Sequence, residues 1–496
     1  MNISNRMRPF AFCAMACAGV GASVAATVEY DFPNKSDELT SAAAWEGTHL
    51  PTATNRVVFK ATGHAYTVSE DFLLGGIKVE KQAGVNTFTA ANGITVGVPT
   101  GFIQSKNNTD TTLAGGKWDF GTGGVLRPGN GYAIGNYNTV RIENAVLTNV
   151  NSVQVGYYST DNRIVLDNGS RLYTKGFSPF SDASVNGSFE ICGGSQVVSA
   201  DTDANRGFGT TGAKNNTFLV SGEGSLYTNR TNSPIIFGGA NSSRLICRAE
   251  EKGKMYLQSG VYFANAGTSH SNRLEAAGGD IIFSSLNFPA AQGSHDNWID
   301  ASDNGTFQVT GTSTIQSSNN TVRAACGGTV LFAGQVTQKG KDCVCVMSNG
   351  TIKASGYYVF DNGASCTNNI FVFQGKSPKL DVKYFYPRKG TRFRFEVPKE
   401  GYDEGARVVT HNLPESNRVY FDFVGLEKFP RSFKGVKTMT LWEDATSSVG
   451  NLQASVDLTN QELAAAGHSG VWLTIVDRKR IVLNIKGRLG LVIIVS

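Results

Sequence analysis

The chain of 496 residues has little charge, with Asp, Glu, Lys and Arg together at 17%, and it has only 13 prolines against 57 glycines. Disordered chains are typically rich in charge and proline, so this composition excludes an intrinsically disordered protein. Apart from the N-terminal segment, no apolar run is long enough to cross a bilayer. The six histidines are scattered, and neither HExxH nor GxSxG occurs. Gly375-Lys376-Ser377 has Ile370 where a phosphate-binding loop requires glycine. Of the eight cysteines, Cys192, Cys247, Cys326, Cys343, Cys345 and Cys366 lie beyond the N-terminal segment. Their spacing does not make a disulfide frame, and they read as small buried apolar residues. Cys343-Val-Cys345 lacks the second pair a zinc site needs. No cofactor or metal is implied.

What the chain does have is a degenerate repeat. Copies read NTVRIENAVLTN from Asn138, NRIVLDNGSRLYTKG from Asn162, NTFLVSGEGSLYTN from Asn216 and NRLEAAGGDIIFS from Asn272. They continue as NWIDASDNGTFQVTG from Asn297, NTVRAACGGTVLFAG from Asn320 and NIFVFQGKSPKLDV from Asn369. Asn138, Asn162 and Asn186 serve as anchors at a spacing of 24, and Cys192 and Cys326 each fall six after an anchor, coils apart and too far to bridge. A third strand-like piece precedes each Asn, as in VQVGYYSTDN and VYFANAGTSHSN. Three short strands per copy, parted by Gly, Asn and Ser turns, predict one coil of a three-faced parallel β-helix, because a single coil cannot bury its apolar side and stacked coils can. Alternation places Val140, Ile142, Ile164, Leu166, Phe218 and Val220 inward. About ten coils at ~4.8 Å give a rod section of roughly 50 Å. The recurrent Asn is expected to hydrogen-bond along one corner and to accept its left-handed backbone. The fold expected is all-β: a right-handed, single-stranded parallel β-helix with a small β-rich C-terminal module.

Residues 1–26 read as a secretory signal, with Arg6 and Arg8 before the apolar stretch from Phe10 to Ala22 and Val24-Ala25-Ala26 at the cleavage site. Residues 27–135 read as an N-terminal cap with the first irregular coils, and 136–375 as the regular repeats. From 376 to 496 the Asn pattern stops and Pro387, Pro398, Pro414 and Pro430 enter. That segment reads as a β-rich module with one short helix, opened by the capping box Thr459-Asn460-Gln461-Glu462 and closed by Gly467. Net charge is +5, with 24 basic against 27 acidic residues over 27–375 and 19 against 13 over 376–496. The basic residues are dispersed along strands, which argues against nucleic-acid binding and leaves attraction to an anionic surface or polysaccharide open.

The signal, the Trp45, Leu50-Pro51 and Val57-Val58-Phe59 opening, and the N-x-[VIL]-x-[VIL]-x-x-G-x-[VIL] units resemble bacterial autotransporter-passenger-like β-helix proteins of the autotransporter-associated β-strand type. The resemblance covers about residues 40–375. It implies a secreted or cell-surface, structural or adhesin-like role. Residues 376–496 show no recognisable translocator barrel, since they include a helix and end in Ser496.

The rival reading is a polysaccharide lyase or glycoside hydrolase on a pectate-lyase-like β-helix. Hydrolysis needs two carboxyl groups flanking the sugar, for which Asp300 and Asp303 are candidates. A lyase needs a basic residue beside an acidic cluster, and Arg248, Glu250, Glu251, Lys252 and Lys254 crowd one segment. The bland reading of both is a solvated corner. Asp201, Asp203 and Asn205 have calcium-loop spacing, but Arg206 stands at the glycine position and Gly212 at the glutamate position. The function expected is non-enzymatic. Asn, Ser, Thr and Tyr157, Tyr158, Tyr173, Tyr227 and Phe263 would be displayed to extracellular polysaccharide or cell-envelope components, with no nucleic acid, no membrane span and the oligomeric state open.

Overall fold

The computed structural model describes residues 28–487, except 34, 46–49, 62, 81–83, 105, 122, 130–134, 201–206, 232–233, 265–267, 289–292, 317, 361–365, 406, 414–417 and 447. The proposed signal at 1–26 therefore lies outside the described residues. Strand accounts for 51% of the chain and helix for 6%. The strands stack as a parallel β-solenoid of about 14 turns. At ~4.8 Å per turn this is a rod of roughly 65 Å.

Each regular coil contributes a strand to each of three faces. On the first face one sheet runs from Asp37–Glu38 to Tyr420–Val424, with every described pairing parallel. The second and third faces share a larger sheet, because Val146–Val153 and Thr351–Phe360 each pass from one face to the other without a break. Parallel pairing begins at Val28–Phe32 and continues beyond residue 375 through Lys379–Tyr386, Val408–Thr410 and the end of Val436–Asp444.

Alternation along each strand decides what is inside. Val140, Ile142, Ile164, Leu166, Phe218 and Val220 all point inward and are fully buried. In-register stacking turns each inward position into a column. One column runs Ile142, Leu166, Ile191, Val220, Ala249, Ala276, Ala301, Ala324, Met347, Phe373 and Phe395. Where it narrows to alanine over four coils, buried Phe263, Phe283, Phe288, Phe307 and Phe332 of the other faces fill the interior. Close-packed cores require such exchange of large for small across facing positions.

The corner before the first face divides two tasks between neighbouring residues. Asn108, Tyr137, Asp161, Asn186, Asn215, Arg244, Ser271, Asp296, Asn319, Asp342 and Asn368 all have φ between 54° and 58°. The next residue in each coil is buried, and in seven coils it is Asn. Its side-chain oxygen accepts the backbone N–H of the equivalent residue one coil earlier. Thr109 donates to Asn138 at 2.9 Å, Asn138 to Asn162 at 3.0 Å, Asn272 to Asn297 at 3.1 Å and Asn297 to Asn320 at 3.1 Å. Gly187, Leu245 and Cys343 interrupt the asparagines, yet each still donates to the Asn that follows. The expectation that one Asn does both jobs is thus corrected. Asn186 belongs to the left-handed column, and Gly187 holds the ladder position. Cys192 is consequently not equivalent to Cys326, since Cys192 directly follows the strand Ser188–Ile191 without a left-handed backbone, whereas Cys326 occupies a turn with φ 48°. Cys247, Cys343, Cys345 and Cys366 are buried as expected, whereas Cys326 is exposed.

The solenoid ends by changing pairing direction. Val436–Asp444 runs parallel to Val408–Thr410 on one edge and antiparallel to Arg480–Lys486 on the other, and Val471–Val476 completes the antiparallel module. The helix spans Gln453–Ala465 and follows a 3-10 turn at Ser448–Leu452. Its start lies well before the expected capping box. Thr459 is in its interior, with its hydroxyl donating to the Ser455 carbonyl at 2.9 Å. The helix has no side-chain cap of its own, and the carboxylate at the turn before it is Asp444, which accepts from the backbone N–H of Thr446 at 2.8 Å and the hydroxyl of Ser448 at 2.9 Å. Gly467 terminates the helix with φ 77°, as its sequence position implied. Val419 occupies the ladder position of the last coil, and its N–H donates to the Ser455 hydroxyl at 3.0 Å. The helix thus supplies the acceptor that a further Asn would have provided.

Two predictions follow from the ladder and its cap. Asn297→Ala leaves the Asn272 N–H buried without its acceptor and should lower stability by about 1–3 kcal/mol, seen as a lower urea midpoint; an unchanged midpoint would refute the role. Burial of Asp444 opposes its ionisation, but bonds from Thr410, Thr446 and Ser448 outweigh it and hold the carboxyl below its ordinary value. A depressed native pKa contributes stability that is present above the unfolded value and lost as pH falls through the native one. The thermal stability of the C-terminal module should therefore fall on acidification below about pH 4, and Asp444→Asn should flatten that dependence.

Candidate functional site

The sequence candidates fall on both sides of one corner. Arg248 and Glu250 lie on the first-face strand Ile246–Glu250, Glu251 and Lys252 form the turn, and Lys254 begins the second-face strand Lys254–Leu257. The crowd of charge seen in sequence is thereby divided. On the first face, Arg248, Glu250, Glu251, Arg273, Glu275, Asp300, Ser302, Asp303 and Arg323 line an open groove of about 700 Å³. On the second face, Glu223, Lys252, Lys254, Asp280 and Asn304 border a separate depression of about 610 Å³. Asp300 and Asp303 do share the first groove, although three residues separate them in sequence. Asp300 sits on a strand, and Asp303 occupies the turn with φ 53°.

The groove floor is a ladder of charge. In-register pairing sets Arg248 beside Glu275, Glu275 beside Asp300 and Asp300 beside Arg323. Arg323 grips Asp300 through both carboxylate oxygens, at 2.8 Å from Nε and 2.5 Å from the terminal nitrogen. Arg248 Nε donates to Glu275 at 2.7 Å, and Arg273 approaches the other Glu275 oxygen at 3.5 Å while lying over the Trp298 ring. The bond to Asp300 raises the Arg323 pKa against the opposing effect of burial. For Arg248, burial works against the charge, and the bond to Glu275 overcomes it, again with a net rise. A carboxylate forked by a guanidinium is already occupied as a base. The geometry therefore serves cohesion between coils and leaves Asp303 and Glu251 as the acids at the turn.

The basic candidates are engaged as well. Lys252 donates to Glu223 at 2.9 Å, and Lys254 lies 3.6 Å from Asp280. Asp201, Asp203 and Asn205 lie outside the described residues. Among the described residues, no group of three or more His, Cys, Asp or Glu is placed to hold a metal ion, and no helix is long and apolar enough to cross a membrane. Two of the scattered histidines do meet: His270 and His295 stack 5.5 Å apart on successive coils.

Burial re-sorts the aromatic residues expected on the surface. Tyr227 and Phe263 are core residues at 1% and 0% exposure. Tyr158 and Tyr173 are exposed, and Tyr157 half-buried. Sequence reading missed Tyr256, Tyr262 and Tyr357, all exposed. It missed also that Tyr357 and Tyr384 stack face to face at 4.5 Å, with Tyr386 at 6.0 Å from Tyr357. The available signal was strand alternation, which a bulge interrupts here. Ser355 and Gly356 together oppose Lys383, and along the partner strand Lys383 and Tyr384, though consecutive, both lie between the buried Val382 and Phe385 and are themselves not buried.

If the groove is cohesive, Arg323→Met should cost about 1 kcal/mol, a modest figure because the guanidinium is partly solvated. Adding Asp300→Asn should recover part of it, since the stranded carboxylate is then removed; an unaltered denaturation midpoint in Arg323→Met would contradict this. No family model, no curated protein and no solved structure matches this chain.

Proposed function

We propose that this is a secreted or cell-surface, adhesin-like β-solenoid of the autotransporter-passenger type. On this reading it is a structural rod that binds glycans and performs no chemistry on them. The observation that carries the proposal is the contrast between its two kinds of outward residue. The paired acids and bases of the groove hold one coil to the next, whereas tyrosines such as Tyr173, Tyr256, Tyr262 and Tyr357 stand exposed on a rigid scaffold. Exposed tyrosines offer flat apolar rings with a polar tip, suited to the faces and hydroxyls of sugars. The N-terminal segment, with its basic start, apolar stretch and small-residue end, supports export from the cytoplasm. The partners on this reading are extracellular polysaccharides or components of the cell envelope.

Purified residues 27–496 should be retained on one or more immobilised polysaccharides from a panel of acidic and neutral polymers, without releasing reducing or unsaturated ends. Release of such ends would overturn the non-enzymatic reading and turn attention to Asp300, Asp303 and the groove around them. Failure to be retained on any polymer would overturn the glycan-binding part.

A further inference from the structure

The strands Thr351–Phe360 and Lys379–Tyr386 carry a patch that sets lysines beside stacked tyrosines. Its floor is a small depression of about 210 Å³, bordered by Lys353, Ser355, Asp381, Lys383 and His411. Further along the same two strands is the stacked pair Tyr357 and Tyr384, whose rings lie 17° from parallel. Lys383 Nζ is 5.3 Å from the Tyr384 ring centroid, so a cation and an aromatic platform occupy the same spot.

The charge of this patch is unbalanced. Lys353 and Lys379 both approach Asp381, but at 4.0 and 3.8 Å, and they share that one carboxylate. Lys383 is exposed and adds a third positive charge. Residues 376–496 carry the chain's basic excess, 19 Lys and Arg against 13 Asp and Glu. In the groove on the first face Arg248 and Arg323 pair with Glu275 and Asp300 at 2.5 to 2.8 Å, and the further acids Glu250, Glu251 and Asp303 give it the opposite sign.

We infer that Tyr357, Tyr384, Lys353, Lys383 and Asp381 form a binding site for a uronate-bearing polysaccharide, an inference that rests on the glycan-binding reading above. A pyranose ring stacks on Tyr357, and its neighbour's carboxylate meets Lys383 and Lys353. Asp381 accepts a sugar hydroxyl, and the same negative charge disfavours a densely sulfated chain, which selects for one carboxylate per sugar. The register shift at Ser355 and Gly356 lies opposite Lys383, within the site. Exposed lysines are screened by salt, so affinity falls as ionic strength rises.

The test is titration of the purified chain with polygalacturonate oligosaccharides and with the same oligosaccharides after reduction of their carboxyl groups. Wild type should bind the acidic form at least tenfold more tightly than the reduced form. Tyr357→Ala and Lys383→Gln should each lose at least tenfold, Tyr357→Phe should retain binding, and thermal unfolding should be unchanged in all three. Equal binding of acidic and reduced oligosaccharides would overturn the role of the lysines. Undiminished binding by both Tyr357→Ala and Lys383→Gln would overturn the site and leave the glycan-binding reading standing. Preference for dextran sulfate over polygalacturonate would overturn the uronate assignment. If wild type binds no polysaccharide, the broader reading fails with this one. Lys383→Gln, a change at an exposed side chain, keeps the test decisive should Tyr357→Ala unfold.

Discussion

Everything in this molecule depends on coils stacking in register, because one coil has no core of its own. Backbone hydrogen bonds between parallel strands supply most of that cohesion, but they do not by themselves select a register. The corner before the first face does. A left-handed residue turns the chain, and the buried residue after it accepts, through its amide oxygen, the N–H of the coil before. The coils vary in length, with ladder partners 23 to 29 residues apart. The ladder absorbs this variation by holding one corner fixed while loops elsewhere lengthen. A buried N–H that missed its partner would carry a desolvation penalty comparable to a lost hydrogen bond, so the corner strongly disfavours slippage.

Stacking in register also dictates what the surface can be. A side chain on an outward position sits one strand spacing from its equivalents above and below, ~4.8 Å away. Like charges cannot be repeated at that spacing without cost, and opposite charges make bonds readily. The first-face column resolves this as Arg248, Glu275, Asp300 and Arg323, a run in which each acid finds a base. Aromatic residues meet no such restriction, since rings stack favourably at this distance. Phe371 on Phe393 and Phe373 on Phe395 do so inside the rod, and Tyr357 on Tyr384 does so outside it. A solenoid therefore tends to neutralise its charges and line up its rings, and the place where charge stays unbalanced beside exposed rings stands out as a site.

A stack of parallel strands must also be brought to an end, because an open edge invites another chain. Here Val436–Asp444 takes a parallel partner on one side and an antiparallel one on the other. The helix Gln453–Ala465 caps the corner ladder through Ser455, and Asp444 ties the turn before it to the last coil. Proline and dispersed basic residues in this region accord with such an edge, where regular pairing stops.

The architecture was legible because a fixed repeat and a period of two are properties of sequence, so Val140, Ile142, Ile164 and Leu166 could be placed inside before any coordinates. The same reading erred where one residue's shift matters, taking Asn186 for a ladder residue when Gly187 holds that place. It erred also at the helix, since Thr459 resembles a cap locally, whereas the helix begins at Gln453 after a turn held by Asp444 and places Thr459 in its interior. Asp300 and Asp303 were visible as acids, but their surroundings were not, because the arginine that holds Asp300 is 23 residues away in sequence and adjacent only through the stacking of the next coil. Tyr227 and Phe263 could not be told from Tyr256 and Tyr262 by type, as burial depends on which face a strand presents. The sequence by itself thus determined the repeat, the all-β class and most of the inward positions, since these follow from local periodicity. Tertiary structure alone decided which charges neutralise one another and which rings meet at the surface, because those neighbours are set by the stacking of coils.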